Sequence, residues 1–426
     1  MDKKIHFMGI GGSGTSAIAA ISQAFGYEVS GCDLNPHTEF TTSFDQSKLL
    51  TGHSPEHVRE IDILCYSPAI ISLDPNNLEI KSAKALGKEV LTWQEFMGKY
   101  LQVGKTVIAV CGTHGKSTTT AMIGILLEEA GLDPTVELGA IVNKWGKNYR
   151  AGKGSYFVTE ADEYNNNFLS TKPNISVITN VEMDHPEYFK DIQAVENSFS
   201  QFISQTQNNI IANLADRGVR EVLVSVKTDT VLDYSTSLID FPLKTPGEFN
   251  IYNASAAYQV GKILGIPEDK IKTSLANFQG LSRRFEYLGD KGGAKIYTDF
   301  AHHPTELLAT MNTARNQYPH NKIWMIFQPH MFSRTHYLFN HFLDTFKKIP
   351  VDEIILMDIY PSREMDTGLV NSKQLVDALA KHNVVYLSSK DGLIQKLNAE
   401  VKPNDIIFFV GAGDIDATAR EYVKFH

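Results

Sequence analysis

Short runs of consecutive apolar residues alternate along this chain with stretches in which apolar positions recur every three to four residues. KKIHFMGI (residues 3–10) is a compact apolar run, and TSAIAAISQAFG (15–26) follows with helical spacing and a closing glycine. YEVSGCD and IDILCYSPAI (61–70) are two further runs. Apolar on both faces, such runs predict buried strands of a parallel sheet, and alternation with helices predicts an α/β fold.

The pattern restarts at LQVGKTVIAVCG (101–112), with Gly104 at the boundary. The helix TTTAMIGILLEEAG, the strands YFVTEAD (156–162) and NISVITNVEMDH (174–185), and the helix NIYNASAAYQVGKILG (250–265) complete a second unit. A third begins near GLSRRFEYLG, with strands in AKIYTDFAHHP, KIWMIFQPHMFSRT, DEIILMDIYP and DIIFFVGAGD. At 426 residues the chain is too long for one core, and three α/β domains are expected at 1–103, 104–280 and 281–426.

Composition narrows the partners. With 42% apolar and 21% charged residues and a net charge of −9, a globular protein is expected, without general affinity for nucleic acid or membranes. No signal-peptide core and no run of membrane-spanning length is expected. Cys32, Cys65 and Cys111 lie in or beside apolar runs without a C-x-x-C pair, so buried reduced thiols in a cytoplasmic protein are expected, not metal ligands.

Candidate chemistry gathers where predicted strands end. CGTHGKSTTT (111–120) joins a strand to a helix through Gly112 and Gly115, and would place open backbone N–H groups at a helix N-terminus. Lys116 is positioned to reach outer phosphates and the Ser117 hydroxyl to face a magnesium ion. Walker spacing requires a glycine at 110, where this chain has Val110, so the loop alone is equally a glycine turn. Glu160 and Asp162 end one following strand, and Asp184 and His185 are expected to end the next. In a parallel sheet those ends share an edge with the loop, which favours a Mg·ATP site.

GIGGSG (9–14), with Asp33 near the end of the second strand, is compatible with any diphosphate, NAD or a nucleotide sugar, or with a structural turn. A nicotinamide oxidoreductase built on it leaves Lys116, Glu160 and His185 unexplained. DFAHHPTE and FQPHMFSRT carry His302, His303, His330 and Arg334, a polar cluster that lacks compact zinc spacing.

GTHGKSTTT, EADE, TNVEMDH, NIYNASAA, RRFE, DFAHHPTE, FQPH-x-x-SRT and GAGD, in that order, resemble the Mur ligase family over nearly the whole chain. The shortened phosphate loop is then that family's form. The resemblance implies a Rossmann-like N-terminal domain for a UDP-sugar, a P-loop ATPase-like central domain and a Rossmann-like C-terminal domain. It also implies ATP and Mg²⁺ as cofactors, with amide formation through an acyl phosphate. The implied reactants are UDP-N-acetylmuramate and L-alanine, in peptidoglycan precursor synthesis, by a monomer or weak homodimer. Addition of a preformed tripeptide in recycling, and a regulatory ATPase without ligase activity, are the alternatives.

Carried over by position, Gly112, Thr113, Gly115, Lys116, Ser117 and Thr118 would serve the phosphates. Asn250 and Asn253 would lie near adenine, and Arg284 at the nucleotide. Ser117, Glu160 and His185 would hold metal. His302, His330 and Arg334 would surround the incoming amino acid, with Arg334 pairing its carboxylate. Gly11, Gly12 and Gly14 would approach the UDP diphosphate, and Ser67 and Ala69 the uridine. Lys116, His185, His302, His330 and Arg334 would carry the catalysis. The chain departs from the family at Tyr164, Asn165, Phe249, Phe300 and Met331, and its segment between His185 and Asn250 is short.

Overall fold

The computed structural model describes residues 3–226, 230–366 and 368–424. Three sheets form, as the alternation predicts. The first contains β1 (Lys4–Met8), β2 (Glu28–Asp33), β3 (Leu49–Thr51), β4 (Ile63–Tyr66) and β5 (Glu89–Thr92), all parallel, in the order β3-β2-β1-β4-β5. The order reverses at β1, so the turn after β1 opens at the topological switch point, where α/β folds bind ligands.

The second sheet has seven strands: β6 (Thr106–Cys111), β7 (Thr135–Val142), β8 (Lys147–Arg150), β9 (Tyr156–Glu160), β10 (Ile175–Ile178), β11 (Asn209–Ala212) and β12 (Val231–Asp233). Their order is β12-β11-β10-β6-β9-β7-β8, parallel except for the β7–β8 hairpin at one edge. The third contains β13 (Glu286–Lys291), β14 (Ala294–Asp299), β15 (Ile323–Phe327), β16 (Glu353–Leu356), β17 (Val384–Tyr386) and β18 (Ile406–Val410), ordered β13-β14-β18-β15-β16-β17. Its central strand feeds two cores by strict alternation. Ile406, Phe408 and Val410 pack on one face, Ile407 and Phe409 on the other.

The chain divides into two compact units. One comprises residues 1–183, 191–244 and 250–279, and the other 184–190, 245–249 and 280–426. The first unit holds the first two sheets because their cores are continuous. Phe7 and Ile18 share one buried cluster with Val107 and Phe157. Asn148 Nδ2 also donates to the Ser13 carbonyl at 2.7 Å.

Two expectations need correction. NISVITNVEMDH is a strand only to Ile178, so Asp184 and His185 lie beyond the ladder and do not end it. The reason is register. Ile178 pairs with Cys111, the last residue of β6, after which that chain turns away at Gly112 and leaves no partner. IDILCYSPAI is a strand only over Ile63–Tyr66, because Pro68 begins a helix, Pro68–Leu73. Strand β13, and with it the β13–β14 hairpin, lies outside the expected strands, although the Gly292-Gly293 pair at the turn, with φ of 58° and 80°, is a recognisable signal.

Candidate active site

Strand β6 delivers CGTHGKSTTT to the start of the helix Lys116–Glu129, with Gly115 as its left-handed N-cap at φ 81°. No side chain caps this helix, so Lys116, Ser117 and Thr118 present first-turn N–H groups of a dipole's positive end. The two glycines are sterically required. A Cβ at Gly112 would lie 2.0 Å from Thr179 Oγ1, and one at Gly115 2.5 Å from Asn253 Oδ1.

The residues just past β10 lace the loop down. Asn180 accepts from Thr113 N at 3.0 Å and, through Oδ1, from His114 N at 2.8 Å. Thr179 Oγ1 donates to the His114 carbonyl at 2.6 Å. Thr113 Oγ1 in turn accepts from Glu182 N at 2.9 Å. These contacts hold the loop's backbone in one shape, which suits a phosphate cradle. Thr179 and Asn180 were absent from the residues singled out by sequence, although TN lies inside the quoted motif.

Lys116 Nζ donates to the carbonyl of Gly112 at 2.6 Å and to Glu163 Oε2 at 2.8 Å. Burial works against the ammonium, but the carboxylates of Glu163, Asp162 and Glu160 raise its pKa further than burial lowers it. The lysine is therefore a fixed cation. Glu163 is a residue that the sequence reading quoted without assigning. Glu160, at the end of β9, accepts from Gly139 N at 2.8 Å. Nearby Glu137 is buried, and burial pushes its carboxyl up to about 8, helped by the charges of Glu160 and Asp162 and opposed by the Thr159 hydroxyl. On the helix Glu248–Ile263, Asn253 accepts from Thr119 Oγ1 at 3.2 Å and donates to Asn250 Oδ1 at 3.3 Å, and both asparagines are buried. The structure thus brings Asn253 to the phosphate loop.

The departure at Asn165 has a backbone reason; that at Tyr164 has no structural explanation. Asn165 and Asn166 are both left-handed, at φ 55° and 56°, a conformation that asparagine tolerates better than most residues.

At the glycine turn after β1, the three candidate glycines separate by cause. A Cβ at Gly11 would lie 2.4 Å from the Asn35 carbonyl, and one at Gly14 2.5 Å from the Trp93 ring. Gly14 is thus explained by packing. Gly12 has φ −77° as N-cap of the helix Ser13–Ala24, and its Cβ would approach nothing nearer than 3.4 Å. Asp33 Oδ2 accepts from Gly11 N at 3.0 Å, so this acid shapes the turn. Ser67, N-cap of Pro68–Leu73, and the half-buried Ala69 follow β4 at the neighbouring strand end.

The second unit carries the remaining candidates. Arg334, on the helix Phe332–Tyr337, donates from Nε to Asp184 Oδ1 at 2.8 Å and from Nη1 to His330 Nδ1 at 3.0 Å. Because Nδ1 of His330 accepts, this imidazole is neutral with its proton on Nε2. Burial, then His302 and Arg334, depress its pKa to about 2. His302 is also kept neutral, at about 4, chiefly by burial. Its Nδ1 donates to the Phe300 carbonyl at 3.1 Å, which leaves Nε2 as an acceptor. The two rings lie 5.8 Å apart. His303, by contrast, caps the helix Pro304–Gln317 by accepting from Thr305 N.

Arg284 stacks on Phe300, its guanidinium 4.9 Å from the ring centre, with Arg283 at 4.8 Å. Phe300 is thereby a platform for cations. His185, at φ 55°, sits 3.3 Å from Glu187, which also pairs with Arg363. Of the expected metal ligands, Ser117 and Glu160 belong to the first unit and His185 to the second. Met331 is fully buried at φ 71°, with its sulfur against Arg334.

A phosphate loop with a fixed lysine, a ring of carboxylates and an αβ frame in three sheets define a nucleotide-using enzyme. The Mur ligase family catalytic domain matches residues 4–104, the Mur ligase middle domain 110–238, and the Mur ligase glutamate ligase domain 283–413. The chain belongs to the Mur ligase family and is an ATP-dependent, amide-forming ligase. Its relatives include the UDP-N-acetylmuramate–L-alanine ligase of Clostridium botulinum (strain Eklund 17B / Type B), 37% identical over 99% of this chain and 97% of the relative. The enzyme of that name from Clostridium perfringens (strain 13 / Type A) is 36% identical, covering 100% of this chain and 98% of its own length. Among solved structures, the UDP-N-acetylmuramate–alanine ligase of Thermotoga maritima matches with a TM-score of 0.81 at 25% identity, over 99% of this chain and 98% of that one. A murein peptide ligase of Psychrobacter arcticus shares the fold, with a TM-score of 0.73 at 22% identity over 99% and 98%.

Proposed function

We propose that this enzyme joins L-alanine to the muramoyl carboxylate of UDP-N-acetylmuramate at the expense of ATP, in the cytoplasm, as a step of peptidoglycan precursor synthesis. The observation that carries the proposal is full-length likeness at 36–37% identity to two ligases of that name. Residues 1–103 take the UDP-sugar, 104–280 ATP, and 281–426 the amino acid, in a monomer or weak homodimer.

The muramoyl carboxylate attacks the γ-phosphorus of ATP and ADP leaves, giving an acyl phosphate. The amine of L-alanine then attacks the acyl carbon, and inorganic phosphate and a proton depart. Lys116 and the N–H groups of Gly115, Lys116, Ser117 and Thr118 hold the phosphates and balance charge on the transferring group. The donor set fits Mg²⁺, since Ser117 and Glu160 offer oxygen and the neighbouring Asp162 and Glu163 supply negative charge. Magnesium, when bound, would screen the phosphate oxygens. Neutral His302, whose Nδ1 donates to the Phe300 carbonyl and leaves Nε2 as an acceptor, orients the incoming amine by a hydrogen bond. Arg334 acts through His330 and Asp184 and positions the acceptor pocket.

Phosphate release from ATP with UDP-N-acetylmuramate, with L-alanine and with L-alanyl-γ-D-glutamyl peptides in separate reactions, tests the reading. Strong stimulation by L-alanine is expected. Stimulation by the peptide alone would move the chain to the recycling reaction.

A further inference from the structure

Away from the phosphate loop, the first unit buries a second cluster of ligating atoms: His6 on β1, Cys32 on β2, His57 on the 3₁₀ turn Pro55–Val58, and Glu79 in the first turn of the helix Leu78–Ala85. His6, Cys32 and Glu79 are each at most 1% exposed. From Glu79 Oε1, His6 Nε2 lies at 3.2 Å, His57 Nδ1 at 3.3 Å and Cys32 Sγ at 3.6 Å. All four ligating atoms lie within 4.8 Å of one another.

We propose that these four side chains form a structural zinc-class site, with a divalent cation at their centre. Bonds of about 2.0–2.1 Å to nitrogen and oxygen and about 2.3 Å to sulfur, at tetrahedral angles, separate ligand atoms by roughly 3.3–3.6 Å. The observed separations from Glu79 Oε1 match. A hydrogen-bonded network accounts for only part of the cluster: Cys32 Sγ lies 3.2 Å from His53 Nδ1 and 3.5 and 3.6 Å from the two Glu79 oxygens, whereas the buried His6 Nε2 and His57 Nδ1 face Glu79 Oε1 without hydrogen-bond alignment. The outer contacts are those of a metal site. Ser30 Oγ holds the other nitrogen of His6, Nδ1, at 2.8 Å, and Ser54 N donates to Glu79 Oε2 at 2.8 Å. Mixed S, N and O donors favour Zn²⁺ over the hard cations Mg²⁺ and Ca²⁺. Cys32 binds as thiolate and its proton passes to water. With four protein ligands the site is closed, so its role is structural.

What it fixes is the start of the glycine turn. The Cys32 carbonyl accepts from Gly9 N at 2.8 Å and Ile10 N at 3.2 Å, and the adjacent Asp33 holds Gly11 N. A metal at Cys32 would clamp β2 to β1 just where that turn leaves the sheet.

The full-length chain, stripped with chelator and titrated with Co²⁺, is the test. We expect one equivalent bound, with tetrahedral d–d bands and a thiolate-to-cobalt charge-transfer band, displaced by one equivalent of Zn²⁺, and a Tm raised by the metal. Cys32→Ser should abolish the charge-transfer band. His57→Ala, the most exposed of the four ligands at 15%, should weaken binding about 10–100-fold. Absence of a charge-transfer band from the folded wild-type chain overturns the proposal. So does a band that survives both substitutions, because the cobalt then sits elsewhere. Neither outcome depends on ligase activity.

Discussion

Arg334 and Asp184, 150 residues apart in sequence, form a direct ion pair at 2.8 Å with side chains only 2% and 7% exposed. Burial pushes the Asp184 carboxyl up, but the guanidinium overcomes it and holds the group well below the usual carboxylate range. The arginine expected to receive a substrate carboxylate is already matched by one from its own chain.

Removing Arg334 therefore strands a buried charge. Arg334→Ala should cost about 3–5 kcal/mol in urea unfolding, the range for breaking a buried pair from one side. A depressed folded pKa contributes stability above the unfolded value and loses it as the pH falls through the folded one. The wild-type advantage should accordingly narrow below about pH 4. Adding Asp184→Asn should recover much of the loss. An undiminished deficit in the double variant would remove Asp184 from the account.

Lys116→Ala should reduce ADP formation by at least about 10²–10³-fold, as expected when a preorganised charge at the transferring phosphoryl group is lost. Calorimetric binding of UDP-N-acetylmuramate should survive, since the glycine turn lies on another sheet. Turnover near wild type would remove the phosphate loop from the mechanism.

Gly11→Ala and Gly12→Ala should part company. The first places Cβ 2.4 Å from a backbone oxygen and should lower Tm. Gly12 has an ordinary φ and room for a methyl group, so stability should change by no more than about 0.5 kcal/mol. Weaker UDP-N-acetylmuramate binding by folded Gly12→Ala would then report close approach of the ligand. Unaltered affinity would exclude it.

Glu137→Gln should stabilise the Mg²⁺-free protein in a defined window. The folded carboxyl titrates near 8 and the unfolded one near about 4.3. A raised folded pKa gives stability that is complete below the unfolded value and lost as the pH rises. The variant escapes this loss. Its advantage should open from about pH 4 and level off beyond about pH 8. Equal stability at pH 5 and pH 8 would contradict the shift.

Local chemistry made much of this molecule legible. Apolar runs such as TVIAVC and IIFFV can only be buried strands, and glycines 112 and 115 sit where no side chain fits. Elements with weak patterning were lost. β7 and β8 form an edge hairpin whose polar residues obscure the alternation, and β3, β12 and β17 are three residues each. The end of β10 was misplaced because a strand stops where its neighbour leaves, and the neighbour, β6, lies 64 residues earlier, from Cys111 to Ile175.

By itself the sequence determined the α/β class, the phosphate loop and the motifs of the family, because periodicity, glycine geometry and motif order are local properties of the chain. Tertiary structure alone decided the partners: Glu163 on Lys116, Asp184 on Arg334, Asp33 on the glycine turn, and Glu79 among His6, Cys32 and His57. Electrostatic and ligating contacts depend on distance in space. Residues 22 to 150 positions apart meet only after strand order and register have been set.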